Sequence, residues 1–363
     1  MGQAMILTSM DQLQGLVRAG FSDWQEVEGE VTVRYYNGMA QFNYTQAAMF
    51  ADRWNWFECV SRGLILNATT GEIVAYPFDK FFNFGQGDRY PTTLEIKEVT
   101  EKRDGSMGIL YWLNETPFIA TRGSFESDQA FWASQYLLEN CQQLEQLPEN
   151  VTVIFEIVYP ENRIVVDYGD ERSLTLLAMR NNSYPYTYLP RETLEYYADL
   201  CHFKLPQVYN FASVQDIINV LPNLPATEEG YVVEFADGSR FKLKGETYKA
   251  LHILANSLSM KTVLDIVISG NYDTWIEGVP DEFLGMVLAW KRSIDNYVYT
   301  LQEELVAILP TIPSTSRKDA AQYIMRNYKP YSKYLFKLLD GQNITLLILQ
   351  EYRRNYKDYQ EVE

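Results

Sequence analysis

The texture of the chain changes once along its 363 residues, near Lys244, and that change limits the possible folds more than any other feature. Before it, short apolar or β-branched runs alternate with turn residues. Runs at 64–67 and 72–75 flank Ala68-Thr69-Thr70-Gly71. Runs at 107–113 and 118–121 flank Asn114-Glu115-Thr116-Pro117. Runs at 231–235 and 240–244 flank Ala236-Asp237-Gly238-Ser239. Strand-length runs joined this way predict β-hairpins, and Asp-Gly is a favoured hairpin turn. Residues 151–159 and 173–179 predict two more strands, with helical patterns intervening at about 128–147 and 192–201. From about Thr247 onward apolar residues recur at helical spacing, with breaks near Gly270, Pro280, Pro310, Pro313 and Gly341. The expected fold class is α+β. Residues 1–248 form a domain of mainly antiparallel sheets with flanking helices, and residues 249–363 an all-helical domain. No oligonucleotide-binding barrel is expected after the 240–244 strand.

Composition narrows the chemistry. Apolar residues make up 47% of the chain, enough for sizeable cores. No run approaches the ~20 apolar residues of a membrane helix, so no membrane partner is expected. Cys59, Cys141 and Cys201 are far apart and odd in number, which fits a reducing cytoplasm rather than a disulfide framework or a zinc site. His202 and His252 are the only histidines, so a three-histidine metal centre is impossible. Chemistry here falls to Lys, Arg, Asp and Glu. The net charge of −17 argues against a nucleic-acid partner until its distribution is considered. Between Arg317 and Lys357 nine basic residues stand against three acidic ones. Lys329, Lys333 and Lys337 recur every four residues, the spacing of one helix face, with Tyr328, Tyr331 and Tyr334 interleaved. Cations that meet phosphate and rings that stack on bases make this a candidate RNA-binding face.

The densest chemistry lies earlier. Lys102-Arg103-Asp104-Gly105 is a Lys-x-Asp-Gly run, which chance produces in about one chain of this length in ten. Its companions carry more weight. Glu156 sits inside the apolar run Phe155-Glu156-Ile157, a costly place for a carboxylate without a partner. Glu229-Gly230-Tyr231-Val232 opens a strand. Phe241-Lys242-Leu243-Lys244 places two lysines on one face of the next, because side chains alternate. Upstream stand Ser61-Arg62-Gly63, Asp79-Lys80-Phe81-Phe82-Asn83-Phe84 and Thr121-Arg122-Gly123-Ser124. Five cations besides Lys102, two inward carboxylates and several aromatics suit a polyphosphate, a divalent metal and a flat base.

In that order, and with Asn162-Arg163-Ile164-Val165, these segments resemble the covalent nucleotidyltransferase superfamily. Within it they resemble the RNA ligase 1 family, the T-even phage tRNA-repair type. The resemblance covers about residues 50–255. It implies that Lys102 is the nucleophile that takes AMP from ATP. It implies catalytic roles for Lys242, Lys244 and Glu229, with Glu229 also at the metal. It implies nucleotide contacts from Arg62, Lys80, Phe82, Gly105, Arg122, Glu156 and Gly230. Arg122 departs from the phage type, which has lysine there, and Arg103 occupies a variable position. ATP and Mg²⁺, with Mn²⁺ as an alternative, are the implied cofactors. The implied partner is RNA with 5′-phosphate and 3′-hydroxyl ends, broken tRNA among the candidates, in the cytoplasm of a bacterium or a phage-infected cell. A broad single-strand DNA/RNA ligase and a catalytically silent nucleotide- or RNA-binding protein are the alternatives.

The nucleophilic amine must be neutral, yet a free lysine titrates near ~10.4. One positive charge about 5 Å away disfavours the ammonium by roughly 3 kcal/mol, or about two pKa units. Lys242, Lys244 and a bound Mg²⁺ are therefore expected to bring Lys102 towards neutral pH.

Overall fold

The computed structural model describes residues 4–276, 279 and 281–356; Pro280 and Lys357, named above, lie outside them. The chain divides into two compact units, Met1–His252 and Ile253–Glu363.

The first unit contains thirteen strands among its described residues. They are β1 (Val31–Tyr36), β2 (Met39–Tyr44), β3 (Arg62–Asn67), β4 (Ile73–Ala75), β5 (Phe82–Asn83), β6 (Ile96–Glu101), β7 (Ser106–Leu113), β8 (Thr116–Thr121), β9 (Val151–Val158), β10 (Ser173–Asn181), β11 (Val208–Tyr209), β12 (Gly230–Phe235) and β13 (Arg240–Lys244). Its helices are α1 (Met10–Arg18), α2 (Gln46–Ala51), α3 (Trp56–Val60), α4 (Asp128–Asn140), α5 (Arg191–Cys201) and α6 (Val214–Val220), and α7 (Glu246–Ser257) runs through the division.

The strands form three sheets, ordered β1-β2-β3-β4, β10-β9-β7-β8 and β11-β6-β12-β13-β5. Every pairing is antiparallel except β13 with β5. The three hairpins expected from turn residues are present as β3–β4, β7–β8 and β12–β13. A fourth, β1–β2, turns on Asn37-Gly38 with φ of 44° and 77°. Asn-Gly there is a strong hairpin signal that the reading above passed over.

What each sheet face buries follows from its alternation. In the first, Phe42, Leu64 and Leu66 pack with Leu13 and Val17 of α1 and with Trp24 and Phe57. In the second, Phe155, Ile157, Leu174 and Leu176 pack under Ala133 and Leu137 of α4 and Leu194 and Ala198 of α5. Its other face joins the first sheet through Ile109, Tyr111, Met39 and Ile65. In the third, Val99, Val233, Phe241 and Leu243 pack against Val214 and Ile217 of α6. Period-two alternation leaves Glu98, Thr100, Val232, Lys242 and Lys244 on the opposite face of that sheet. The chain passes from the third sheet to the second between β6 and β7, through Lys102-Arg103-Asp104-Gly105.

Beyond Lys244 all regular elements among the described residues are helices. The second unit contains α8 (Met260–Ser269), α9 (Tyr272–Ile276), α10 (Asp281–Ile308), α11 (Arg317–Asn327), α12 (Ser332–Leu339) and α13 (Thr345–Arg354). Here α10 packs on α8 and α13, and α13 on α8. Ser259 and Ser316 cap α8 and α11, and Gly270 ends α8 at φ 75°. No helix among the described residues is long and apolar enough to cross a membrane.

The expected lysine face of this unit is only partly built. Lys333 and Lys337 lie on α12, but Lys329 sits in a separate 3₁₀ turn, Lys329–Tyr331. Tyr334 is buried, so it packs inside rather than stacking outward. Much of the surrounding charge is met internally. Lys333 pairs with Glu351 at 2.6 Å, Arg354 with Glu351 at 3.1 Å, Arg353 with Asp265 and Arg317 with Asp340. Lys337 donates to Gln342 at 3.1 Å. Spacing in sequence revealed the cations but not the carboxylates folded against them.

Candidate active site

Lys102 is held from both directions. Its backbone N–H donates to the Gly230 carbonyl at 2.9 Å, and its Nζ donates to Glu229 Oε2 at 2.7 Å. The other Glu229 oxygen, Oε1, takes Lys244 Nζ at 2.8 Å. Glu229 is only 2% exposed, so its charge is matched by two ammonium groups rather than by water. The register produces this cluster. Gly230 pairs with Lys244 and Tyr231 with Glu101, which brings the ends of β6, β12 and β13 side by side. Gly230 itself has φ 138°, and a Cβ there would lie 2.2 Å from the Leu243 carbonyl oxygen. Only glycine fits this position. Gly105 is similarly tight: a Cβ would lie 2.4 Å from the Ile157 carbonyl oxygen.

Asp104 organises the turn after the lysine. Its Oδ2 accepts from the backbone N–H of Val165 and of Val166, each at 2.8 Å, and its Oδ1 accepts from the Tyr248 hydroxyl at 2.8 Å. Its own N–H donates to the Tyr168 oxygen at 2.9 Å. Arg103, at the variable position, pairs with Glu101 at 3.1 Å and Glu171 at 2.6 Å and stacks on Tyr168 at 3.9 Å. Both residues fasten the lysine loop to segment 163–171, a function the motif alone did not reveal.

A cavity of about 510 Å³ opens beside Lys102, lined by Arg62, Phe81, Gly105, Met107, Glu156, Val232 and Lys242 among others. Arg62 donates to the Met107 sulfur at 3.0 Å and lies over Phe81. Lys242 lies 4.6 Å from the centre of the same ring. Lys80 stands in a box of three rings, 4.9 Å from Trp54, 5.2 Å from Phe82 and 5.7 Å from Tyr44. Arg122 stacks over Tyr44 at 4.6 Å. Arg62, Lys80 and Lys242 have no carboxylate partner among the described residues. The structure thus gathers Lys102, Glu229, Lys244 and Gly230 in one cluster, and Arg62, Gly105, Glu156 and Lys242 around the adjoining cavity. Lys80, Phe82 and Arg122 form a third group around Tyr44 and Trp54. Lys329, Lys333 and Lys337 belong to the other unit. Trp54 and Tyr44 were missed because nothing in their spacing marks them. Only the return of β2 and of segment 52–55 beside Lys80 does so.

The electrostatics depart from expectation at Lys102. Burial lowers the Lys102 pKa, but the charges of Glu229 and Glu156 outweigh it and leave the group above an ordinary lysine. In the nucleotide-free protein Lys102 is therefore an ammonium, not an amine. Lys244 is paired with the same Glu229 carboxylate, and Glu229 and Glu156 together outweigh the surrounding cations at Lys102. The lysine driven well below its ordinary value is Lys242, first by burial and then by Arg62, Lys102, Lys80 and Lys244. Lys80 is lowered too, by burial and then by Arg62 and Arg122. Burial pushes the Glu156 carboxyl up to about 7.

Among the described residues no three acidic, histidine or cysteine side chains gather as a metal cage. Glu229 and Glu156, the carboxylates acting on Lys102, are too few to cage a divalent ion alone; one bound there would take most of its oxygens from phosphate and water, the usual arrangement for Mg²⁺.

The chain is 31% identical over 252 residues to a candidate bifunctional polynucleotide kinase/RNA ligase of Autographa californica nuclear polyhedrosis virus, a match covering 61% of this chain and 35% of that protein. It is 23% identical over 296 residues to an RNA ligase of Rhodothermus phage RM378, covering 62% of this chain and 67% of that one. The chain spans about a third to a half of the first two curated relatives it matches. Among solved structures, an RNA ligase of Naegleria gruberi with ATP and Mn is similar at 17% identity and TM-score 0.36, over 43% of this chain and 51% of that one. A candidate ATP-dependent DNA ligase from Aquifex aeolicus is similar at 12% identity and TM-score 0.44, over 92% and 88%. The family model described as RNA ligase matches residues 60–249, from the strand of Arg62 to the helix after Lys244 and a little over half of the chain. By that match the chain belongs to the RNA ligase family.

Proposed function

We propose that this protein is an ATP-dependent RNA ligase that joins 5′-phosphate and 3′-hydroxyl ends, with Lys102 as the residue that carries AMP. The observation that carries this reading is the pairing of Lys102 with Glu229 beside a cavity that Lys102 lines together with Arg62 and Lys242, with Lys80 nearby. Arg62, Lys80 and Lys242, without carboxylate partners, disfavour one another's charge, and a bound polyphosphate removes that cost.

The residues divide the work. Glu229 and the Gly230 carbonyl orient Lys102, so that its nitrogen meets the α-phosphorus from a set direction. Lys102 releases its proton to solvent and forms an N–P bond, and the bond from the α-phosphorus to the pyrophosphate oxygen breaks as pyrophosphate leaves. Arg62, Lys80 and Lys242 offset charge that develops on the leaving pyrophosphate. Arg122, charged like the phage type's lysine, lies beside the same region. Glu229, whose oxygens keep further lone pairs, would hold Mg²⁺ or Mn²⁺ together with phosphate oxygens, and the ion would add to this charge compensation. AMP then passes to an RNA 5′-phosphate, and a 3′-hydroxyl displaces it. Broken tRNA is one substrate of this kind, and the cytoplasm is the compartment that supplies it with ATP. Lys329 and Lys337, both exposed, are the residues of the second unit best suited to meet RNA phosphates.

Incubation with ATP and Mg²⁺ followed by intact-mass measurement tests the reading. The wild type is expected to gain one adenylyl group and Lys102→Ala none. An adduct on the alanine variant would remove Lys102 from its role. A wild type that never gains mass would favour the silent nucleotide-binding alternative.

A further inference from the structure

The cations without carboxylate partners do not stop at the cavity. Across the first sheet, Thr32, Asn43 and Arg62 form one row over β1, β2 and β3, and Arg34 lies in the next row opposite Gln41. Alternation along β1 and β2 turns Thr32, Arg34, Gln41 and Asn43 away from the core that holds Phe42. Segment 121–124 lies against that face. Gln41 Nε2 donates to the Thr121 carbonyl at 2.8 Å, and Arg34 Nη1 donates to Ser124 Oγ at 3.3 Å. Arg122, two residues before Ser124, stacks on Tyr44, where Lys80 also stands. Burial raises the Tyr44 phenol, but Arg122, Arg62 and Lys80 outweigh it and hold the group below its ordinary value. A trail of cations thus runs from Lys242 and Arg62 in the cavity, past Lys80 and Arg122, to the exposed Arg34 on the edge strand.

Other cations around the cavity are matched. Glu234 takes Lys97 and Arg240, each at 2.6 Å, Arg191 pairs with Glu195 at 3.1 Å, and Arg103 pairs with Glu101 and Glu171. Beyond the ring box, Arg89 is paired with Asp52. Arg34 and Arg122 have no carboxylate partner among the described residues, although the chain as a whole carries a net charge of −17. In-line transfer gives this trail a direction. Pyrophosphate leaves the α-phosphorus on the side opposite Lys102, and the phosphate that later takes AMP from Lys102 attacks from that vacated side. The RNA 5′-phosphate therefore meets the cations that held pyrophosphate, and its strand continues outward from them. The border through Arg122 to Arg34 offers that strand further unmatched positive charge.

We infer that the face of β1 and β2 bearing Thr32, Arg34 and Asn43, with Ser124 beside it, is a binding site for the phosphodiester backbone of the RNA strand that supplies the 5′-phosphate. The inference rests on the ligase reading proposed above and adds where the donor strand lies. Arg34 meets a phosphate beyond the reacting one. The Asn43 side chain, which makes no hydrogen bond among the described residues, adds an uncharged donor in the same row as Arg62. Contacts of this kind fix the position of a strand and carry no sequence information, so the site is indifferent to the bases.

The test starts from full-length protein loaded with AMP by ATP and Mg²⁺ and then freed of nucleotide. Transfer of AMP is followed to two donors below saturation. One is a nucleoside 3′,5′-bisphosphate, which brings a 5′-phosphate without a strand. The other is a 5′-phosphorylated oligoribonucleotide blocked at its 3′ end. The wild type is expected to prefer the oligonucleotide. Arg34→Glu is expected to lower the rate with the oligonucleotide about tenfold, and to leave adduct formation from ATP and transfer to the bisphosphate unchanged. Arg34→Ala is expected to flatten the log–log salt dependence of transfer to the oligonucleotide by about 0.7, the share of one phosphate contact on a single strand. Arg34→Lys should restore most of the loss, whatever the base sequence. Transfer to the oligonucleotide that survives Arg34→Glu overturns the assignment. Equal loss with both donors overturns it as well, because it marks Arg34 as structural. So does a loss confined to the sealing of RNA that already carries AMP, which would put the acceptor strand on this face. A wild type that takes up no AMP, or passes it to neither donor, is a different result and defeats the ligase reading itself.

Discussion

Glu156 stands inside β9 between Phe155 and Ile157, and its position exposes a conflict between folding and function. Burial pushes its carboxyl up to about 7 from an ordinary 4.5, with Lys102 and Arg62 opposing the shift and Glu229 adding to it. A folded-state pKa above the unfolded one means that the native protein binds more protons between the two values. Stability therefore falls as pH rises through that window. Glu156→Gln removes the titration, so its gain over wild type should be small near pH 5 and grow to at most about 3 kcal/mol above pH 7. Urea unfolding at about pH 5 and about pH 8 measures it. A difference between the two proteins that does not change with pH would refute the assignment. A carboxylate kept at such cost is what a site, rather than a core, retains.

At the scale of elements, the most informative assembly is the ring box around Lys80. Tyr44 ends β2, Phe82 opens β5, and Trp54 comes from the segment between α2 and α3. That segment is tied down by Asp52, which accepts from Trp54 Nε1 at 2.9 Å and pairs with Arg89 at 3.3 Å. Aromatic faces hold a cation without cancelling its charge, so Lys80 remains available to an anion. Trp54→Leu is expected to raise the KM for ATP in adduct formation by roughly three- to thirtyfold, from about 0.5–2 kcal/mol of lost cation–π attraction, while kcat changes little. Trp54→Phe should restore most of the loss. An unchanged KM in the leucine variant would separate Trp54 from Lys80. Here sequence reading had mixed reach. Lys80 and Phe82 were legible because they share one short motif, whereas Trp54 and Tyr44 belong to other elements and their spacing carries no periodic signal.

For the whole molecule, the two units raise separate questions. The first contains every residue of the candidate site apart from the three C-terminal lysines. Replacing Lys329, Lys333 and Lys337 with Glu is expected to lower RNA joining about tenfold or more at moderate salt and to leave adduct formation from ATP unchanged. Lys333 is exposed but its partner Glu351 is partly covered, so thermal melting is used to check that the variant still folds. Unchanged joining would show that RNA is gripped elsewhere.

By itself the sequence determined the division into sheets and helices, three of the hairpins and the lysine motif with its ordered companions. These follow from local chemistry: side-chain period, turn residues and the rarity of carboxylates in apolar runs. The ordered cations around Lys102 were legible too, because strand alternation fixes which face a lysine takes. Tertiary structure decided what each charge meets. Lys102 and Lys244 share Glu229 through the register of β12 and β13, Asp104 closes on Tyr248, and Lys333 closes on Glu351. Charge state depends on distance and burial, which spacing along a chain does not carry. Lys102 was therefore the expected nucleophile from its motif, while its resting state as a paired ammonium came only from the fold around it.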